Sequence, residues 1–280
     1  MTRTDWKPRL LALDIDGTLL RWVAPSGAGV VHGEVDPVVR ESVRRAAAAG
    51  AHIVLASGRS IHSMVPIAEQ LGLPLNGEHC WIVASNGAVV VEYPPVKVTH
   101  EVTFDASEAV RNVIRHHPTA RVGVEERGKG YRVNVPFPEG ELDGEMIVTP
   151  LEEMVANPVS RVIIRDPDAT VEDFQDLAEN LGLHGTDYVI GWTAWMDLAP
   201  VGISKASGLT QVAADLGVDA ADALAIGDGR NDLEMFEWAG RAVAMGQAVP
   251  EVLEAADPIT LPVEEHGAAV EIDRWFGGDD

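Results

Sequence analysis

Carboxylate side chains stand in pairs directly after two apolar segments of the chain. Asp14 and Asp16 follow an apolar run near the N-terminus, and Asp228 and Asp232 follow another in the C-terminal third. Carboxylates this close repel one another, so they need a cation or a proton to coexist. A lone Asp-x-Asp would favour a solvated turn, but two acidic loops together offer enough hard oxygen donors for one Mg²⁺. The sequence therefore predicts a magnesium site that draws on both loops.

Other residues suit the binding of an anion. Ser57 and Gly58 lie between an apolar run and a predicted helix, where a hydroxyl and free backbone N–H groups form a natural phosphate cradle. Taken alone, Ser57 is equally an ordinary helix N-cap. Lys205 lies in the first turn of its predicted helix, where the helix dipole disfavours a cation. This placement suggests a nearby anion, although for Lys205 by itself a surface lysine is the better interpretation.

These clusters share one position, the end of a predicted buried strand. The predicted strands of this kind are Arg9–Leu13, Ala51–Ala56, Trp81–Ala84, Ala223–Ile226 and Ala242–Ala244. Predicted helices alternate with them; the first is capped by Asp36, begins at Pro37 and stops at Gly50. Alternation of strand and helix implies a parallel sheet with right-handed crossovers. Ligands bind beyond the carboxyl ends of such strands, so the acidic and Ser/Gly clusters are expected to meet there.

The middle of the chain has a different order of predicted elements. They are a strand at His100–Phe104, a helix at Ala106–His116, a hairpin of 121–126 with 131–135, a strand at Val159–Ile164, a helix at Thr170–Leu181 and one or two strands in 187–198. This pattern predicts an α+β module inserted into an α/β, Rossmann-like parallel-sheet core. We expect residues 1–88 and 200–280 to form the core and residues 89–199 to form a cap domain.

Composition restricts the partners. The 280 residues include 21 Lys and Arg against 44 Asp and Glu, a formal charge of −23. This charge repels nucleic acid and anionic lipid, so we expect neither nucleic acid nor a membrane as partner. The single cysteine, Cys80, excludes an intrachain disulfide, and no signal peptide or spanning segment is visible. We expect a cytoplasmic protein, present as a monomer or homodimer.

Four segments, in order, resemble the motifs of the haloacid dehalogenase (HAD) hydrolases. They are Asp14–Leu20, Leu55–Arg59, Gly202–Lys205 and Gly227–Asp232. Two further segments, Ser85–Ala88 and Ala244–Ala248, resemble the Cof-like branch (subfamily IIB), which carries a large α/β cap. Three features depart from the pattern: a longer loop at 21–35, Gln247 in place of the commoner Asn, and Ala206 where Gly is common. None of them removes a catalytic group, and we expect the Gln247 exchange to be harmless.

The resemblance implies roles for the candidate residues. Asp14 would be a nucleophile that forms an aspartyl-phosphate, and Asp16 a general acid and base. Mg²⁺ would be held by Asp14, the backbone carbonyl of Asp16 and Asp228, with Asp232 acting through a water or an adjacent loop. The phosphoryl group would be bound by Ser57, Gly58, Lys205 and Asn231. The expected substrate is a small phosphorylated metabolite, with a sugar phosphate favoured.

Three alternatives remain at this stage. A phosphotransferase on the same core, such as a hexose phosphomutase, would pass the phosphoryl group to a sugar instead of water. A receiver-like signalling domain also gathers acidic residues and a lysine around Mg²⁺, but is shorter and lacks a residue placed like Asp16. A pseudoenzyme is disfavoured by the intact motifs. In the cap, Arg127, Lys129 and Arg132 could bind anions, although solvated hairpin charges are the favoured interpretation, so the specificity residues are not predicted.

Overall fold

The strands in the described part of the chain form two sheets, one of seven strands and one of six. The computed structural model describes residues 6–21, 33–75, 79–166, 168–170, 172–173, 186–190, 195–256 and 258–278. We call the unit built on the seven-stranded sheet the core, and the unit built on the six-stranded sheet the cap. Within the described ranges, none of the helices is both long and apolar enough to span a membrane.

The core sheet is parallel over most of its width. Its strands are β1 (Leu10–Leu13), β2 (His52–Ala56), β3 (Cys80–Ala84), β4 (Val89–Tyr93), β5 (Lys97–Glu101), β12 (Ala223–Gly227) and β13 (Arg241–Ala244). They lie in the order β13-β12-β1-β2-β3-β4-β5, and the pairs from β13 to β3 are all parallel. Strand β1 is buried along its whole length, which explains its uninterrupted apolar sequence, since parallel strands are covered on both faces.

Helices cover both faces of the core sheet. The described helices are α1 (Pro37–Ala48), α2 (Ile61–Gln70), α3 (Ser107–His116), α4 (Leu151–Met154), α5 (Lys205–Leu216), α6 (Leu233–Trp238), α7 (Pro250–Glu254) and α8 (Gly267–Phe276). Helices α1, α2 and α8 pack on one face of the core sheet, and α5, α6 and α7 pack on the other. The predicted start of α1 is confirmed, because the Asp36 carboxylate accepts a hydrogen bond from the Val38 N–H at 2.9 Å.

The cap is an antiparallel sheet with one parallel pair. Its strands are β6 (Arg121–Glu126), β7 (Gly130–Val133), β8 (Glu145–Val148), β9 (Val162–Arg165), β10 (Thr186–Ile190) and β11 (Trp195–Pro200). They lie in the order β10-β11-β9-β6-β7-β8, with β7 and β8 parallel. Helices α3 and α4 pack on one face of the cap sheet. Phe137 and Leu142, from the loop before β8, cover part of the other face. The predicted fold class is confirmed.

The predicted border of the cap at residue 89 is wrong. Strands β4 and β5 extend the core sheet, because β4 turns back at Ser85–Gly87 and pairs antiparallel with β3. The strand predicted for the cap at His100–Phe104 is instead β5, the edge strand of the core sheet. The cap sheet runs from β6 to the end of β11 at Pro200. We therefore propose a cap of 102–200 inserted into a discontinuous core. Most of the predicted helix at Thr170–Leu181 and of the 21–35 loop lies outside the described residues.

Candidate active site

The loops that follow β1, β2, β3 and β12 meet at the carboxyl end of the core sheet. Backbone hydrogen bonds join them: the Asp14 N–H donates to the Ile226 carbonyl and the Ser57 N–H to the Val83 carbonyl, both at 3.0 Å. Neighbouring parallel strands end at the same edge, so residues far apart in the sequence become neighbours.

Three carboxylates form the centre of the site. One oxygen each of Asp14, Asp228 and Asp232 can be chosen so that all lie within 4.8 Å of one another. Asp14 and Asp232 are buried. Asp232 also shapes its own loop, because its Oδ2 accepts hydrogen bonds from the backbone N–H groups of Asp228 (3.0 Å) and Gly229 (2.9 Å). The predicted approach of the two acidic loops is therefore observed.

Lys205 is the cation of this cluster. Its side chain is 0% exposed, and its Nζ donates hydrogen bonds of 2.6 Å to Asp14 Oδ1 and of 2.6 Å to Asp232 Oδ1. Burial alone would lower the pKa of the ammonium, but the charges of Asp14 and Asp232 outweigh burial and raise that pKa well above its usual range. The lysine is thus held in its charged form. The interpretation of Lys205 as a surface residue is wrong. The nearby anion that its position in the helix suggested is present as two carboxylates.

The charge balance of the cluster suits a divalent cation. Burial raises the pKa of Asp14 well above its ordinary value, and the charges of Asp232, Asp228 and Asp16 add to this effect, whereas Lys205 opposes it. A single ammonium thus faces more than one carboxylate. The candidate metal-binding group within the described residues consists of carboxylates alone, the hard oxygen donors that Mg²⁺ prefers. The donor set therefore fits Mg²⁺ and gives no thiolate or imidazole for zinc.

The side chain of Asp16 has a partner that we did not predict. Arg59 donates two hydrogen bonds to it, from Nε to Oδ2 at 2.7 Å and from its guanidinium NH2 group to Oδ1 at 2.6 Å. The bidentate contact orients the Asp16 carboxylate. Arg59 was part of the second motif but carried no predicted role. Its position directly after Ser57 and Gly58 was the available signal, because it places a cation at the same sheet edge.

The predicted phosphate-binding residues lie around the side-chain amide of Asn86, a residue of the Ser85–Ala88 segment for which we predicted no role. Ser57 is buried, and its Oγ accepts a hydrogen bond from the Arg59 N–H at 3.2 Å. A Cβ on Gly58 would lie only 3.1 Å from the side-chain amide of Asn86. Asn231 donates to Asn86 Oδ1 at 3.0 Å. Asn86 therefore links the Ser57–Gly58 loop to the loop after β12.

Gln247 joins the two acidic loops. Its Nε2 donates to the Gly17 carbonyl at 2.6 Å and lies 3.3 Å from Asp228 Oδ2, while its Oε1 accepts from the Val263 N–H at 2.9 Å. The shorter side chain of Asn would not span the same three partners without movement of the backbone. Gln247 is thus an integral part of the site in this chain.

Comparison with known proteins identifies the family. The sequence model of the haloacid dehalogenase-like hydrolases matches residues 11–272. The Bacillus subtilis protein YxeH is 30% identical over 93% of this chain and 96% of its own. A phosphoglycolate phosphatase of Natronomonas pharaonis is 30% identical over 94% of this chain and 96% of its own. A haloacid dehalogenase-like hydrolase from Bacteroides thetaiotaomicron superposes with a TM-score of 0.77 at 27% identity, covering 96% of this chain and 100% of that structure.

The match extends from β1 to α8 and so includes all four motif loops that build the site. It confirms the resemblance that these motifs carry. The chain therefore belongs to the haloacid dehalogenase-like hydrolases.

Proposed function

We propose that this hydrolase is a Mg²⁺-dependent phosphatase that cleaves a small phosphate monoester through a phosphorylated Asp14. The observation that carries the proposal is the cluster of buried Asp14, Asp232 and Lys205 with half-buried Asp228 at the carboxyl end of the core sheet. This arrangement combines a nucleophilic carboxylate with fixed positive charge, the combination that phosphoryl transfer requires. Family membership supports the reaction class.

Asp14 is the proposed nucleophile. Its carboxylate oxygen attacks phosphorus and the bond to the leaving alcohol oxygen breaks; water then attacks the phosphoaspartate, releasing phosphate and regenerating Asp14. A carboxylate nucleophile divides one difficult hydrolysis into two easier steps. The contact of 2.6 Å with Lys205 fixes the orientation of Asp14 and offsets the repulsion between this carboxylate and an anionic ester.

Asp16 is the proposed general acid and base. It would give a proton to the leaving oxygen in the first step and take one from water in the second. Both of its oxygens are engaged by Arg59 in this structure, so proton transfer requires that Arg59 release at least one of them. An incoming phosphate ester is an anion and offers the Arg59 guanidinium another partner. Substrate binding would thereby free Asp16 for its role.

The remaining residues hold the charges in place. Asp14, Asp228 and the backbone carbonyl of Asp16 would hold Mg²⁺, with Asp232 acting through a water or through its contacts to the adjacent loop. When bound, the cation would neutralise negative charge on the transferring phosphoryl group. The Ser57 hydroxyl, the Gly58 N–H, Lys205 and Asn231 would bind the phosphoryl oxygens.

The test is release of inorganic phosphate from p-nitrophenyl phosphate in the presence of Mg²⁺. We expect Asp14→Asn to fold normally and to lose activity by several orders of magnitude, because residues that act as a unit fail together. Asp215→Asn, on the surface of α5, is the matched control and should retain activity. Substantial turnover by Asp14→Asn would contradict the proposal.

The same assay addresses the phosphotransferase alternative. A phosphatase releases one phosphate for each nitrophenol, with or without a sugar in the solution. A hexose phosphomutase-like enzyme would retain the phosphoryl group or pass it to an added sugar, so nitrophenol would exceed phosphate. Among phosphatase substrates we favour sugar phosphates, and a panel of phosphate esters tests this preference.

A further inference from the structure

The cap presents a group of polar side chains to the catalytic loops. It consists of Glu125 in β6, Tyr131 in β7, Arg161 just before β9 and Asp197 in β11, which we call the cap cluster. Alternation along the strands places these residues on the face opposite to α3. The neighbouring residues on the same strands, such as Val124, are packed in the apolar layer under that helix.

Two contacts bring the cap cluster onto the active site. The Ser85 hydroxyl, directly after β3, donates a hydrogen bond of 2.5 Å to Glu125 Oε2. The Tyr131 hydroxyl, whose pKa burial raises, lies close enough to the Ser60 side chain, one residue after Arg59, for Ser60 to lower that pKa. Ser85 adopts a left-handed backbone conformation with φ of 51°, which is unusual for a residue with a Cβ and is found mainly where function fixes the chain. Glu125 therefore lies beside the loops that hold Ser57 and Asn86.

Arg161 makes the cap cluster rigid. Its guanidinium donates to both oxygens of Asp197, at 3.0 and 3.1 Å, and to the Tyr131 hydroxyl at 3.1 Å. The nearby charge of Asp197 keeps the buried Arg161 protonated although burial opposes this, and its pKa is raised. Burying a charged group costs free energy because the group loses its water. Arg161 is nevertheless buried and charged, and its three hydrogen bonds hold Asp197 and Tyr131 in place.

Glu125 is the acidic group of the cap cluster that has no arginine bound to it. Arg161 is bound to Asp197, and Arg127 is bound to Glu101 on β5. In the part of the chain that the structure describes, the Ser85 hydroxyl is the side-chain donor to the Glu125 carboxylate, through Oε2, and Oε1 accepts no hydrogen bond. Burial raises the pKa of Glu125, whereas the charge of Arg161 and the hydrogen bond from Ser85 oppose this effect and the charges of Asp197 and Glu101 add to it. The site thus has a carboxylate that can accept a further hydrogen bond, in surroundings that disfavour more negative charge.

We propose that Glu125 selects the leaving group of the substrate. It accepts a hydrogen bond from a hydroxyl or an ammonium group and repels a carboxylate. The inference rests on the proposed phosphatase function and narrows its substrates to phosphate esters of neutral or amino polyols. Phosphoglycolate carries a carboxylate, so on this reasoning the chain differs in specificity from its relative named phosphoglycolate phosphatase.

The test compares three six-carbon phosphate esters as competitive inhibitors of p-nitrophenyl phosphate hydrolysis. Glucosamine 6-phosphate carries an ammonium group, glucose 6-phosphate is neutral beyond its phosphate, and 6-phosphogluconate adds a carboxylate. We expect the wild type to bind 6-phosphogluconate at least about tenfold more weakly than the other two, because like-charge juxtaposition disfavours the wrong ligand. In Glu125→Gln, which keeps the shape and the contact to Ser85, that discrimination should fall to about twofold or less.

Glu126→Gln is the matched control. Glu126 is the next residue of β6, points to the opposite face and pairs with Arg132 at 2.9 Å, so its substitution should leave the inhibition ratios unchanged. Thermal melting of both variants verifies that they are folded. The inference would be overturned if the inhibition ratios of Glu125→Gln stay at the wild-type values. It would also be overturned if all three esters inhibit the wild type equally, or if none of them inhibits it. Failure of the wild type to release phosphate from p-nitrophenyl phosphate would instead overturn the proposed function, and this inference with it.

Discussion

Lys205 offers the sharpest test of the buried charge cluster. The substitution Lys205→Met keeps most of the volume of the side chain but removes the charge that lies 2.6 Å from Asp14 and 2.6 Å from Asp232. Removing one partner of a buried ion pair leaves an uncompensated charge and costs about 3–5 kcal/mol. Because Lys205 is 0% exposed and has two such partners, we expect the free energy of unfolding to fall by at least about 4 kcal/mol without divalent cations.

The control is a lysine pair of similar geometry on the surface. Lys97 lies 2.7 Å from Glu92, but its side chain is 66% exposed. Exposed ion pairs are screened by water and contribute little to stability, so Lys97→Met should change the free energy of unfolding only slightly. The two variants thus separate the effect of burial from that of distance.

The assay is urea denaturation followed by tryptophan fluorescence, with linear extrapolation to water. It is run once in chelator and once in Mg²⁺. A cation bound to Asp14 and Asp228 supplies positive charge, so the deficit of Lys205→Met should shrink in Mg²⁺. A loss below about 1 kcal/mol in chelator, comparable with that of an exposed pair, would refute the assignment of Lys205 as the charge that stabilises the cluster.

Three further predictions follow from the geometry. Gln247→Ala should weaken Mg²⁺ binding by about 10- to 100-fold in calorimetry, because residues that orient metal ligands commonly have effects of this size. The control is Gln211→Ala, at an exposed position on α5, which should leave Mg²⁺ affinity unchanged. Equal Mg²⁺ affinities of Gln247→Ala and the wild type would contradict the positioning role of Gln247. Gly87→Ala should lower the free energy of unfolding by more than about 4 kcal/mol, because the new Cβ would lie 2.0 Å from a backbone oxygen. Gly128→Ala is the control, because a Cβ at Gly128 meets open space and should cost only about 1 kcal/mol of backbone strain. In urea titrations the reverse order would contradict this. Since burial raises the pKa of Glu125, the free energy of unfolding should fall as pH rises above the ordinary pKa of glutamate. Glu125→Gln should therefore be more stable than the wild type near neutral pH and equal to it in acid. A stability difference that stays constant across pH would refute ionisation of buried Glu125 as its cause.

The sequence predicted the parallel part of the sheet and the meeting of its loops. Apolar runs such as Leu10–Leu13 end at polar clusters, and this local pattern is sufficient because parallel strands are buried on both faces. The edge of the sheet was harder to predict. The segment from Val89 to Glu101 has the pattern of any hairpin, and whether it pairs with the core or with the cap depends on the turn at Ser85–Gly87. That turn needs two consecutive residues with side chains at positive φ. Asn86 and Gly87 suit such a turn, but Ser85 has no preference for this conformation.

Within the site, the sequence identified groups with chemistry of their own but not the residues that position them. Asp14 and Asp228 stood out by type and place, whereas Lys205 was assigned to the site only through its resemblance to the family motif. Arg59 and Gln247 act through partners that are distant in sequence, Asp16 and Gly17 respectively. The side-chain contacts that define them exist only after the loops have met, so no local pattern could assign those roles.

The proposed mechanism passes the phosphoryl group through Asp14. Rapid quenching of Asp16→Asn after mixing with p-nitrophenyl phosphate and Mg²⁺ tests it most directly. This ester has a good leaving group and needs little acid help in the first step, whereas the second step still needs the base. We expect a burst of one nitrophenol per protein, with the mass of one phosphoryl group on the peptide that contains Asp14. Turnover of this variant at the wild-type rate, or a phosphoryl group on any other residue, would contradict it.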